Sequence, residues 1–140
     1  MTAQHTTLVR DSFEGIREMA SPVILLFYGR LFDLDPSLRA MFKIDMRTQA
    51  EKLTNMLATL VDSLDRMDEL RPMLRELGVR HADYGVQPEH YRTLNSALLW
   101  AFGQALDQDF QPDVRQAWSA LLSEVEAAML GAPEPVTSRL

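Results

Sequence analysis

Chemistry in this chain falls to few side chains. Histidines stand at positions 5, 81 and 90 and there is no cysteine. Thiolate nucleophiles, Cys-ligated zinc or iron–sulfur sites and disulfides are therefore excluded. No two imidazoles have the i, i+4 spacing that would place a metal-binding pair on one helical face, so a metal held by protein ligands alone is not expected. There is no Gly-rich phosphate loop, no strand-turn-helix nucleophile elbow and no carboxylate pair buried by pattern, and the common hydrolase and nucleotide-enzyme constellations fail. What remains is His81 and the polar residues that could face it.

His81 follows Leu77 by one turn on the apolar side of a helical pattern, which turns its ring toward the interior. Two readings stand. It is a core histidine satisfied by a backbone carbonyl, or it is an axial haem ligand, one ring nitrogen on iron and the other donating to a carbonyl near Leu77. Gln49 breaks an otherwise apolar stripe, and Tyr28 ends the apolar run that starts at Pro22. Each alone reads as an edge-of-core residue with its polar tip in water. Together with His81 they describe a cavity with a nitrogen ligand on one side and hydrogen-bond donors on the other. The eight methionines are assigned as core filler, with no ligand role.

The elements that would position these residues are helices. Five of the seven prolines, Pro22, Pro36, Pro72, Pro88 and Pro112, fall where a helical pattern is expected to begin; proline suits the first helical position because its missing N–H has no partner there. Ser21 is the expected N-cap before Pro22. Apolar residues recur every three or four positions: Val9, Phe13, Ile16, Ala20; then Val23, Phe27, Leu31, Leu34; then Met46, Leu53, Met56, Leu57, Leu60 and Leu64 around Gln49. Leu74, Leu77 and His81 follow Pro72, with Gly85 as a left-handed stop. Tyr91, Leu94, Leu98, Ala101, Phe102 and Ala105 follow Pro88. Val114, Trp118, Leu121, Val125 and Met129 follow Pro112, closed by Gly131. No stretch alternates with period two, so an all-α domain of six or seven helices over residues 1–131 is expected, with 132–140 an unstructured tail.

The chain has 140 residues, room for one core. Its 14 Lys and Arg against 20 Asp and Glu give a net charge of −6, which opposes nucleic-acid and anionic-membrane binding. The longest apolar run, Pro22 to Tyr28, is far below the roughly 20 residues that span a bilayer. With no signal-like N-terminus, a cytoplasmic protein is expected.

The segment Leu77-Gly78-Val79-Arg80-His81-Ala82-Asp83-Tyr84-Gly85-Val86-Gln87-Pro88-Glu89-His90-Tyr91 is similar to the proximal segment of the globins, a histidine followed ten residues later by a tyrosine that opens a long helix. Leu31-Phe32-Asp33-Leu34-Asp35-Pro36 with Phe42 resembles the corner where that family carries a phenylalanine flat on the porphyrin. The likeness runs from about Leu8 to Leu130 and is narrowest with single-domain bacterial haemoglobins and the haem domain of flavohaemoglobins. It implies a globin fold around haem b (iron protoporphyrin IX), with His81 as the iron ligand. Phe42, Leu53, Leu77, Val86, Tyr91 and Leu94 would then line the cofactor, Lys52 and Arg80 would pair with its propionates, and Tyr28, Gln49 and Leu53 would form the distal wall. In flavohaemoglobins a glutamate of the last helix joins the tyrosine in holding the proximal histidine; the matching position here is Pro133, next to Glu134, which lowers the expectation of peroxidase-like chemistry.

Three functions follow from the resemblance. The first is reversible binding of oxygen, with nitric oxide and carbon monoxide as further ligands. The second is nitric oxide dioxygenation with an external reductase, since the chain shows no flavin or nicotinamide domain. The third is a haem-free sensory or scaffold module, disfavoured because such a module has no reason to keep a polar pair opposite an imidazole.

Overall fold

Caps and prolines set most of the helix starts in the computed structural model, which describes residues 1–42 and 45–131. The helices are α1 (Ala3–Glu18), α2 (Ala20–Leu34), α3 (Met46–Asp62), α4 (Met67–Asp83), α5 (Pro88–Leu106) and α6 (Pro112–Leu130), with 3₁₀ turns at Pro36–Met41, Leu64–Arg66 and Asp107–Asp109. No strand occurs among the described residues. The fold is all-α, as the periodicity requires. The expectation for residues 132–140 lies outside the described residues.

Local signals explain the boundaries. The Thr2 hydroxyl and the His5 ring close a reciprocal capping box on α1. Asp35 accepts from the Ser37 N–H ahead of Pro36, and Asp45 accepts from the Arg47 N–H at the start of α3. Pro88 and Pro112 occupy first positions. Gly85 and Gly131 have φ of 96° and 74°, the left-handed conformation that ends a helix without a Cβ penalty.

The structure corrects four details. Met19, not Ser21, occupies the N-cap of α2, and Ser21 lies within the helix; Pro22 is still inside the first turn, where its missing N–H costs nothing. Ala20, grouped with the first segment by spacing, begins the second. Pro72 does not open a helix but sits inside α4, which starts at Met67; the chain enters helical geometry through the preceding 3₁₀ turn, and the proline forfeits a single intrahelical bond. Leu34 is exposed because α2 ends there and the chain turns away at Asp35.

The core forms where α2 packs on α5 and α1 and α4 pack on α6. Trp118 of α6 is fully buried between Phe13 and Phe102, with ring centroids 6.3 and 4.8 Å away. Its indole N–H donates to Ser12 Oγ at 2.8 Å, so the one polar atom of that ring is satisfied. Gly78 sets the approach of α4 to α6: a Cβ there would overlap the Met129 carbonyl. Arg75 locks the same crossing by donating to that carbonyl at 3.0 Å.

Candidate functional site

Helix α4 carries His81 close to its C-terminal end and packs through Gly78 on α6. His81 Nδ1 lies 2.8 Å from the Leu77 carbonyl oxygen. A carbonyl only accepts, so Nδ1 carries the proton and Nε2 keeps its lone pair. No described residue bonds Nε2. The other two histidines are used differently. His5 Nδ1 accepts from the Thr2 N–H and His90 Nδ1 from the Gln87 N–H, so both serve as helix caps. Among the described residues no group of three His, Asp or Glu could hold a metal, and a metal at His81 would need its remaining ligands from a cofactor.

A second wall comes from α2, the 3₁₀ turn after it and α3. Tyr28 is 5% exposed and sits among aromatic rings: Phe27 at 4.8 Å, Phe42 edge-on at 5.4 Å and Phe32 at 6.0 Å between centroids. Its hydroxyl has no hydrogen-bond partner among the described residues, and burial pushes its pKa up to about 12. The phenol is therefore a neutral donor at any physiological pH, held in a ring of apolar surface. Gln49 is half-buried on the first turns of α3, its amide without a partner among the described residues, with Leu53 one turn further along.

Apolar packing is divided along the same line. Tyr28 belongs to the main core, with Phe42, Met46, Leu53 and Leu94 packed against it. Tyr91 belongs to a second cluster with Leu74 and Met129, against which Leu77 and Val86 pack. The two clusters meet at Met67 and Val125. Helices α3 and α4 are joined by the Leu64–Arg66 turn but pack on different partners, α3 on α1 and α2, and α4 on α6. Half-buried apolar side chains on both sides of that division are what a flat hydrophobic cofactor needs: apolar walls, one nitrogen ligand and one buried donor. The residues fit haem.

The expected propionate partners are less well placed. Arg80 is exposed and already paired with Glu76 at 3.3 Å, and Lys52 is exposed on α3. Two residues escaped the sequence reading. Phe32 stacks on Tyr28 and meets Phe42 edge-on at 5.6 Å; its i, i+4 spacing from Tyr28 was the available signal. Glu126 of α6 lies close enough to Tyr91 that, after burial, its negative charge is the next cause raising the tyrosine's pKa, with Arg75 opposing. The position expected to lack a carboxylate, Pro133, is outside the described residues; Glu126 is an acidic group of α6 near Tyr91.

The globin family model matches residues 25–129. The chain belongs to the globin family. Haem is that family's cofactor, in agreement with the walls described above. The chain is 24% identical to a flavohemoprotein of Bacillus subtilis over 127 residues, 89% of this chain and 32% of that protein. It is 28% identical to a neuroglobin of Chaenocephalus aceratus over 136 residues, 87% of this chain and 86% of the neuroglobin. It thus spans about a third of the flavohemoprotein and most of the neuroglobin. Among solved structures it is similar to an engineered carbene transferase derived from a candidate nitric oxide dioxygenase of Rhodothermus marinus, with a TM-score of 0.82 and 25% identity, covering 92% of this globin and 90% of that chain. No helix of this globin, among the described residues, is long and apolar enough to cross a membrane.

Proposed function

We propose that this globin binds haem b through His81 Nε2 and holds oxygen reversibly beneath Tyr28, with nitric oxide and carbon monoxide as alternative ligands. The observation that carries the reading is the His81 ring itself: its Nδ1 proton is committed to the Leu77 carbonyl, so the other nitrogen is left as a free ligand in a fixed orientation. When bound, the haem supplies the ferrous iron that takes a diatomic gas. The chain supplies the rest. Phe42, Leu53, Leu77, Val86, Tyr91 and Leu94 keep water from the cofactor, and Lys52 and Arg80 reach for its carboxylates, Arg80 after leaving Glu76. The Tyr28 O–H would donate to the negative charge that a bound gas acquires, and the Gln49 amide would support it from α3. A donor that is neutral, buried and without a competing protein partner stabilises that charge most effectively.

Absorption spectra of the purified protein in ferric, ferrous and carbon monoxide forms test this reading. The expected result is a strong band near about 400 nm that shifts with each form, as haem proteins give, and its loss in His81→Ala. A colourless protein that refuses added haemin would overturn it.

Nitric oxide dioxygenation is the second reading, favoured by the likeness to the flavohemoprotein and to the Rhodothermus marinus protein. In that reading oxygen and nitric oxide would give nitrate, with the one electron that the balance needs coming from an external reductase. Sustained nitrate production with a reductase present supports it; a single turnover that ends in ferric protein supports the carrier.

A further inference from the structure

His90 stands in the first turn of α5, with 13% of its side chain exposed. Its Nδ1 accepts from the Gln87 N–H at 2.9 Å, so in the neutral ring the proton sits on Nε2. Nε2 faces Asp35 Oδ2 at 3.9 Å, inside ion-pair range and outside hydrogen-bond range. Asp35 belongs to the opposite wall. Its other oxygen, Oδ1, accepts from the Ser37 N–H at 3.1 Å and the Ser37 hydroxyl at 2.6 Å, and so holds the turn that runs to Phe42.

The loop between α4 and α5 is pinned at two adjacent amides. The Val86 N–H donates to the His81 carbonyl at 3.0 Å, and the Gln87 N–H donates to the His90 ring. One end of the loop is thus tied to the residue that carries the candidate iron ligand, the other to a ring turned toward Asp35. Among the described residues no other carboxylate lies within ion-pair distance of that ring. Glu126 of α6 and Arg75 of α4 act on the next residue, Tyr91, and Glu89 and Arg92 flank His90 on its own helix. A cap alone does not need an imidazole, since glutamine or glutamate closes the same box without titrating. His5 caps α1 in the same manner and faces no carboxylate among the described residues.

We propose that His90 is a proton-operated latch on the haem cleft, built from the Gln87 amide, the imidazole and the Asp35 carboxylate. Imidazole is the side chain suited to sensing mild acid. A proton taken from solvent onto Nδ1 turns that nitrogen into a donor facing a donor, and the Gln87 bond must open. The imidazolium now carries a full charge and closes on Asp35 Oδ2 as a charge-assisted hydrogen bond. Acid therefore exchanges an anchor of the proximal loop for an anchor to the distal wall. Val86, which borders the cofactor, keeps its bond to His81 but loses the support of its neighbour, and haem is held less firmly. The inference rests on the reading that His81 holds haem, and it adds a regulation of that site.

The test compares the parent protein with His90→Gln, which caps without titrating. The first readout is protection of the Gln87 amide from hydrogen exchange by NMR, corrected for the intrinsic rate, in haem-free and haem-loaded protein. From about pH 8 to about pH 5.5 it should fall roughly fivefold, the worth of one cap, in the parent and stay level in His90→Gln. The second is haem transfer to excess apomyoglobin. The parent should lose haem about fivefold faster than His90→Gln at the acid end and equally fast at the alkaline end. Protonation of the iron-binding imidazole speeds both proteins alike, so the ratio removes it. Asp35→Asn, which keeps an acceptor for Ser37 and removes the charge that draws the ring, should shrink the acid effect. Level protection in the parent, or an equal fall in His90→Gln, overturns the latch. A Gln87 response with a haem-loss ratio that ignores pH overturns its coupling to the pocket. A Gln87 response in a protein that takes up no haem sustains the proton switch and sinks the haem reading, so the two fail separately.

Discussion

Gly78 of α4 lies against the Met129 carbonyl of α6 so closely that no Cβ fits between them. His81 is three residues further along the same helix, so the depth of that contact fixes where the imidazole stands. Gly78→Ala must push the helices apart or strain the crossing, and Arg75 would lose its bond to the same carbonyl. The expected cost is about 1–3 kcal/mol, the usual range for overpacking. Urea unfolding of the haem-free and haem-loaded forms measures it. Equal loss in both forms places the damage in the helix crossing; a larger loss in the loaded form shows that His81 has moved as well.

The imidazole ligand is separable from the helix that carries it. His81→Gly should unload haem, and free imidazole added to the variant should restore the haem spectrum, because the Leu77 carbonyl remains to receive an N–H. Recovery of the spectrum without imidazole would show that another group ligates the iron.

The periodic pattern made Val9, Phe13, Ile16, Trp118 and Leu121 readable as core, since each repeats on one face of a helix. Gly85 and Gly131 were readable as stops because the left-handed conformation selects glycine. Pro72 misled because local sequence does not reveal whether a helix reaches a proline from upstream. The ring contact of Tyr28 with Phe42 depends on the turn at Pro36–Met41, which no periodicity describes. Glu126 escaped because it adjoins Val125 at the edge of an apolar face, where spacing does not separate buried from exposed.

Tyr28 should control how long a polar gas is retained. A hydrogen bond to a charged or strongly polarised acceptor contributes about 1.5–3 kcal/mol, so Tyr28→Phe should speed oxygen dissociation roughly ten- to a hundredfold while leaving carbon monoxide, a weaker acceptor, less affected. Stopped-flow release of both gases checks this. An unchanged oxygen rate removes Tyr28 from the distal role and leaves the donor to Gln49, whose substitution by Leu is the matching control.

The same phenol should leave a mark on stability at alkaline pH. Burial raises its pKa from 10.0 to about 12, so the folded state holds the proton more tightly than the unfolded chain. The sign follows by linkage: the stabilisation is complete below pH 10, and it is lost as pH rises from 10 through about 12, where the unfolded chain releases its proton first. A raised pKa of this size corresponds to on the order of 2–3 kcal/mol. Tyr91 is shifted in the same direction, by burial first and by Glu126 second, and adds to the slope. Urea denaturation between pH 9 and 12 should therefore show a smaller fall in Tyr28→Phe than in the parent protein. Glu126→Gln should also flatten the curve by relieving part of the Tyr91 shift, without altering oxygen release, because Glu126 bears on Tyr91 and not on the distal phenol. If the parent and Tyr28→Phe curves fall together over that range, the Tyr28 hydroxyl is not confined to the apolar ring of Phe27, Phe32 and Phe42, and the distal geometry built on it fails with it.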